Sequence, residues 1–314
     1  MLEFRMSVGR AIGAVLATLA AACSLPAAAL SFLPWENTRI SYQAFEFGGI
    51  TRNIAIIAPA NPQRNAPAVV VLHFNLGTGP SMSNLTEVGR LARDYGAYVI
   101  LPEAADQTWA HVPGGTDTTD DVGFLSALIT DYVGRYSIDA KRVYMTGYSQ
   151  GGNMSLRFAC EHPEQVAAIA PVAATMRNSL ARECTTTVST PVVFFNGTAD
   201  KQVPYGPGIP ALIRDLTLVG SLGAQDAAKF WAEKNGCTGN AIRTDLPTPI
   251  NDGTELYVDN YEACPENTGV TAYTIVEGGH TWPGALDFVP VAGITSQNLH
   301  ANDAMWQFFE RFTR

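Results

Sequence analysis

Five residues, Gly147-Tyr148-Ser149-Gln150-Gly151, form a G-x-S-x-G pattern between an apolar run and a segment of helical period. That context needs a sharp strand-to-helix turn which lifts a serine hydroxyl above a sheet, with glycines on both flanks because neighbouring backbone leaves no room for side chains. A helix that starts directly behind the serine also offers amide donors and a positive dipole end to a developing oxyanion. Ser149 is therefore the candidate nucleophile. It needs a base, and the chain has five histidines. His280 lies in Gly278-Gly279-His280-Thr281-Trp282-Pro283-Gly284, just past the C-terminal end of an expected strand, where parallel sheets place their functional groups. His73 ends a buried strand, His162 and His300 sit at helix ends, and His111 lies in a loop beside Trp109 as a candidate cleft residue. In the chain order Ser, acid, His, the orienting carboxylate falls on Asp200, directly after the expected strand Thr190–Asn196. Asp215, Asp226 and Asp245 are rivals that follow no buried strand.

Acyl transfer also needs two backbone donors for the oxyanion. One is expected from the N–H of Gln150 and the other from Phe74 or Asn75, in the loop after the strand Ala66–Phe74. Trp109, His111 and Trp282 are candidate substrate-lining residues. The chemistry expected of such a set is hydrolysis through an acyl-enzyme, which requires no metal and no organic cofactor. A peptidase of the same architecture, or a binding protein that keeps it without catalysis, are the rival classes.

The elements that must position these residues alternate. A hairpin is expected over Ile40–Phe47 and Ile50–Ala58, turning at Gly48-Gly49. Buried strands follow at Ala66–Phe74, Ala97–Pro102, Arg142–Tyr148, Val166–Ala173, Thr190–Asn196 and Val270–Glu277. Helices are expected at Ser83–Tyr95, Thr118–Tyr136, Gly152–His162, Ala224–Asn235 and His300–Phe312. Asp120 and Asp121 fall in the first turn of the second of these. Strands alternating with helices predict one α/β domain with a mostly parallel sheet and helices on both faces. The stretches Gly206–Gly223 and Thr238–Thr268 read as long irregular loops.

The remaining observations concern where the chain works and on what. Arg5 and Arg10 precede an apolar stretch, Ala11–Ala22, and a small-residue run, Ala27-Ala28-Ala29. That is the pattern of a secretory leader over residues 1–29, followed by one domain over 30–314. Met6 could equally be the start, and Ala20-Ala21-Ala22-Cys23 allows a lipid-anchored variant. About a dozen apolar residues are fewer than the roughly 20 needed to span a bilayer. Loss of the leader takes Cys23 with it and leaves Cys160, Cys184, Cys237 and Cys264. An even number in an exported chain reads as disulfides, and of the three connectivities Cys160–Cys184 with Cys237–Cys264 closes short loops. The lack of any C-x-x-C or C-x-x-H pair argues against zinc. A net charge of −9 argues against nucleic acid as a partner. The expected partner is a substrate for that acyl-enzyme chemistry, met by a monomer.

Four blocks carry a family resemblance: GYSQGGNMSLRFACEHPE at 147–164, FFNGTADKQVPY at 194–205, EGGHTWPG at 277–284 and HANDAMWQFF at 300–309. Together they resemble the secreted polyhydroxybutyrate depolymerase and feruloyl esterase group of α/β-hydrolases, over roughly Ala66 to Phe309. The resemblance implies a serine esterase with Ser149, Asp200 and His280 as its triad, and it matches Cys160 and Cys184 to family cysteines. It favours polymeric hydroxyalkanoate esters, with plant polysaccharide esters of the feruloyl or acetyl-xylan kind as the alternative. One departure stands out: the family's His-Gly at the start of the oxyanion loop is His73-Phe74 here, so Phe74 is expected to narrow the acyl site or alter the hole. Fewer than twenty residues separate Ala173 from Thr190, too few for an inserted lid domain, which predicts an open site.

Overall fold

Alternate side chains of the strand Ala66–Leu72 (β3) point into two different cores, and this organises the molecule. Ala66, Ala68, Val70 and Leu72 join a cluster with Phe124, Leu128, Met154 and Trp231. Val69 and Val71 are equally buried but outside that cluster. A strand apolar at every position has to be covered on both faces. The computed structural model describes residues 35–206, 220–286 and 292–314. The leader expected at 1–29, with Cys23, lies outside the described residues, as does most of Gly206–Gly223.

Among the described residues, ten strands form one sheet. Thr38–Phe47 (β1) and Ile50–Pro59 (β2) make the expected hairpin, with Phe47 opposite Ile50. Gly48 and Gly49 both take positive φ there, the requirement of a two-residue turn that follows strand twist. Tyr98–Pro102 (β4), Ile138–Tyr148 (β5), Ala168–Val172 (β6), Val192–Gly197 (β7), Ala241–Leu246 (β8), Glu255–Tyr261 (β9) and Val270–Val276 (β10) complete the order β1-β2-β4-β3-β5-β6-β7-β10-β9-β8. The run β4-β3-β5-β6-β7-β10 is parallel throughout.

The helices are Gly79–Thr86 (α1), Gly89–Tyr95 (α2), Asp121–Tyr136 (α3), Gln150–Glu161 (α4), Asn178–Glu183 (α5), Ala224–Lys234 (α6) and Ala301–Phe309 (α7). Helices α3, α4 and α6 cover the face of Val70, while α2 packs with α7 on the other, where Phe309 stacks on Tyr144 of β5 at 4.7 Å. The expected parallel α/β sheet with helices on both faces is thus what the chain forms.

Three expectations change. The single helix Ser83–Tyr95 is two helices. The first begins earlier, where Thr78 and Ser81 form a capping box, and it stops at Glu87, whose φ of 55° turns its N–H back to Ser83. Asp120 is not in the first turn of α3 but is its N-cap, accepting the Gly123 amide at 2.8 Å. The supposed loop Thr238–Thr268 contains β8 and β9, which extend the sheet antiparallel beyond β10. β8 is largely exposed, so it carries no apolar alternation to betray it. It is held instead across the strands, by Arg243 paired to Asp259 at 2.9 Å and lying 3.7 Å over the Tyr257 ring.

Both expected disulfides are formed, Cys160–Cys184 and Cys237–Cys264. The first ties the end of α4 to the end of α5, the short helix that occupies the β6–β7 connection.

Candidate active site

The turn after β5 places Ser149 at φ 57°, ψ −116°, a strained backbone for a residue with a side chain. Its surroundings hold it there. The Ser149 amide donates to Val172 at 2.9 Å, and its carbonyl accepts from Asn153 at 3.0 Å to start α4. A Cβ on Gly147 would come within 2.3 Å of the Gly151 backbone, and one on Gly151 within 2.2 Å of the Leu72 carbonyl oxygen. The two flanking glycines are therefore required by close approach, and Gly151 presses the start of α4 against the end of β3.

The end of β3 is pinned from the other side. His73 is buried, its Nε2 accepting the Ala104 amide at 3.0 Å and its Nδ1 lying 2.7 Å from the Phe74 carbonyl. Burial lowers its pKa, which suits a neutral ring with its proton on Nδ1. The Trp109 indole donates to the His73 carbonyl at 2.9 Å. His73 is thus committed to holding the end of β3 in place. Among the described residues, the Phe74 and Asn75 amides donate to no acceptor, and Gln150, as the first residue of α4, has no acceptor four residues back within its helix. The Phe74 ring is turned onto Tyr148, 5.6 Å away and edge-on.

Asp200 and His280 come from adjacent parallel strands. The turn after β7 and the one after β10 are laced together: Thr198 and Ala199 amides donate to Ile275 and Gly278, and the Thr198 hydroxyl accepts the Glu277 amide. Gly197 has no space for a Cβ, which would sit 2.3 Å from the Gly278 oxygen. The result is a buried pair, His280 Nδ1 to Asp200 Oδ2, at 2.7 Å. The other carboxylate oxygen accepts the Gln202 and Val203 amides, each at 2.8 Å. Tyr148, next to Ser149, stacks on the His280 ring at 5.2 Å, and its hydroxyl donates to the His280 carbonyl. Burial raises the Tyr148 pKa, so it stays a neutral donor. Sequence reasoning passed over Tyr148, although its position beside Ser149 was the available signal.

This geometry brings Asp200 and His280 into contact, with the Ser149 turn joined to His280 through Tyr148. Of the rivals, Asp226 lies on α6 and Asp245 on the exposed β8, while Asp215 is outside the described residues. His162 pairs with Glu164, and His300 lies 3.6 Å from Glu87.

Two cavities flank the turn. One, of about 20 Å³, is lined by Tyr148, His280, Trp282 and Leu286. Trp282 is buried there, edge-on to Tyr148 at 6.3 Å. The other, of about 200 Å³, is lined by Trp109, His111, Gln150 and Arg177. Trp109 is buried and its amide donates to the Gln150 side chain at 3.0 Å. His111 Nδ1 lies 3.0 Å from the Trp109 carbonyl, and desolvation, with Arg177 beside it, pushes its pKa down to about 4. Arg177, in the loop after β6, was not anticipated from sequence, because a lone arginine in a loop carries no pattern.

Comparison with known proteins bears on this arrangement. Residues 116–212, which include Ser149 and Asp200, match the family described as phospholipase/carboxylesterase. Feruloyl esterase B of Piromyces equi is 30% identical over 221 residues, 68% of this chain, but this chain spans only 39% of its length. A protein of Nocardia uniformis subsp. tsuyamanensis named "Putative esterase NocK" is 27% identical over 263 residues, 80% of this chain and 76% of its own. The structure of an acetyl xylan esterase from Aspergillus awamori superposes with a TM-score of 0.60 over 86% of this chain and 99% of that one, at 18% identity. At that identity the likeness speaks for the fold, which is that of the α/β-hydrolases.

Proposed function

We propose that this chain, an α/β-hydrolase of the esterase group, hydrolyses carboxylic esters with Ser149 as nucleophile, His280 as base and Asp200 as the orienting acid. The observation that carries the reading is the buried 2.7 Å contact between His280 Nδ1 and Asp200, built from adjacent strand ends on the side of the sheet where Ser149 makes its strained turn. In that arrangement Asp200 holds the Nδ1–H tautomer, leaving Nε2 free to take the Ser149 proton. Ser149 attacks the ester carbonyl. The amides of Gln150 and of Phe74 or Asn75 hold the oxyanion. His280 then protonates the leaving alcohol, and water repeats the sequence on the acyl-enzyme.

For substrate, the relatives named feruloyl esterase and acetyl xylan esterase favour plant polysaccharide esters over hydroxyalkanoate polymers. Export is supported by the two disulfides, which persist in oxidising compartments, and by the leader pattern. Among the described residues no helix is long and apolar enough to cross a membrane.

The deciding experiment compares wild type with Ser149→Ala on p-nitrophenyl acetate, methyl ferulate, acetylated xylan and hydroxybutyrate oligomers. Turnover that a serine-directed organophosphate abolishes, and that Ser149→Ala lacks while still folded, is the expected result. Retained turnover in that variant would remove Ser149 from the mechanism, and activity confined to the hydroxybutyrate oligomers would reverse the substrate order.

A further inference from the structure

The larger cavity beside the Ser149 turn contains a cation that no carboxylate neutralises among the described residues. Arg177 is 5% exposed, and its Nε has no hydrogen-bond partner. Among the described residues it makes no ion pair, and the one polar contact of its guanidinium is Nη2 to His111 Nε2 at 3.4 Å. That contact has a definite polarity. His111 Nδ1 faces the Trp109 carbonyl, an acceptor, so the ring proton sits on Nδ1 and the bare Nε2 accepts from Arg177. His111 is thereby occupied as a neutral support for the guanidinium. Asp117 also lines the cavity, but its Oδ1 accepts the Thr119 amide, and it does not pair with Arg177.

A guanidinium withdrawn from water and left without a carboxylate is costly, and such groups persist where a ligand supplies the missing charge. The cavity is about 200 Å³, and its wall includes Gln150, the residue after the nucleophile. That sets the cavity beside the proposed nucleophile. The planar fork of arginine matches a carboxylate in two parallel hydrogen bonds, and one cation in a small cavity suits one such group.

We propose that Arg177 is a specificity-determining residue, and that the preferred ester carries a second, ionised carboxylate that Arg177 binds in the Trp109–His111 cavity. The inference rests on the esterase reading above and names its substrate class. The carboxylate can belong to the acyl part, as in the half-ester of a dicarboxylic acid, or to the alcohol part, as in an acylated hydroxy acid or acidic sugar.

Two matched pairs separate these sources. The acyl pair is p-nitrophenyl hydrogen glutarate against its methyl ester, and the alcohol pair is 3-acetoxybutyrate against methyl 3-acetoxybutyrate. Wild type is expected to favour the charged member of one pair by about tenfold or more in kcat/KM, the scale of a charge-assisted hydrogen bond. Arg177→Gln should erase the preference and Arg177→Lys keep part of it. Thermal stabilisation of the intact Ser149→Ala protein by glutarate is the companion measurement, needing no turnover. Wild type with no preference in either pair and no stabilisation by glutarate would overturn the proposal, whether or not Arg177→Gln folds. So would a preference that survives Arg177→Gln, or stabilisation by inorganic phosphate in place of glutarate. Stabilisation by glutarate with no ester turned over would uphold the anion site and sink the esterase reading instead.

Discussion

Replacing Asp200 by Asn changes one atom of the proposed triad and leaves its scaffold in place. Asp200 Oδ1 accepts two backbone amides, from Gln202 and Val203, and Oδ2 accepts from His280 Nδ1. An asparagine has one oxygen and one NH2. Turning the NH2 toward the two amides would set donor against donor at a buried position, so the oxygen stays there and the NH2 faces His280. Nδ1 must then accept, which moves the ring proton to Nε2, where it blocks proton transfer from Ser149. The expected loss in kcat is about 10⁴-fold, the scale set by the corresponding change in serine proteases, or about 5.5 kcal/mol of barrier. Stability should barely move, because both amides keep their acceptor. Asp200→Ala is the contrast: it orphans the buried Val203 amide, at about 1–3 kcal/mol, and the part-buried Gln202 amide at less, so it should lose about 2–4 kcal/mol of stability as well as activity. Initial rates on p-nitrophenyl acetate, read beside urea denaturation of the same preparations, test both. An Asp200→Asn enzyme retaining more than a tenth of wild-type kcat, or one destabilised as much as Asp200→Ala, would refute the tautomer argument.

Other outcomes follow from the same contacts. Gly147→Ala puts a Cβ 2.3 Å from backbone atoms of Gly151, which have nowhere cheap to go, so urea melts should show a loss at or above the 1–3 kcal/mol usual for overpacking, with organophosphate labelling of Ser149 falling too. Arg52 is buried against Asp121 and lies 4.1 Å over the Phe124 ring. Arg52→Met leaves that carboxylate buried and unpaired, at about 3–5 kcal/mol. Burial already pushes the Asp121 pKa up, so the deficit in denaturation free energy should shrink as acid protonates it. His111, with its pKa pushed down to about 4, favours the folded state only while neutral. Its contribution is complete above the unfolded value near 6.5 and is lost as pH falls toward 4, at most about 3 kcal/mol. His111→Asn should flatten the stability profile between those values, and profiles parallel to wild type would contradict it.

What could be read from residues alone was whatever repeats or punctuates locally. The apolar runs of β3 to β7 and β10 announce strands covered on both faces, and the G-x-S-x-G turn between a strand and a helix announces Ser149. Asp200 and His280 are the candidates because chain order and strand ends restrict the choice, and the two disulfides could be paired because short loops are favoured. The losses have a common cause. β8 is exposed on both faces and is recruited by pairing with β9, so it has no periodicity of its own. The helix Ser83–Tyr95 was read through Glu87 because apolar spacing continues across a residue whose backbone turns left-handed. Phe74 stood out against the family pattern, but its lean onto Tyr148 depends on a residue 74 positions later.

The sequence by itself determined the type of protein and the identity of its candidate nucleophile, acid and base, because a strained turn, strand ends and buried runs are properties of short segments. Only the tertiary structure decided what surrounds them: which carboxylate oxygen faces His280, which ring supports it, and where an arginine has no counter-ion among the described residues. Those depend on groups far apart in the chain meeting in a dry interior, where each unpaired charge or amide is costly and the pairing alone settles the chemistry. Arg177, 66 positions from the His111 that supports it, is the plainest case, since a lone arginine in a loop carries no pattern until its surroundings are known.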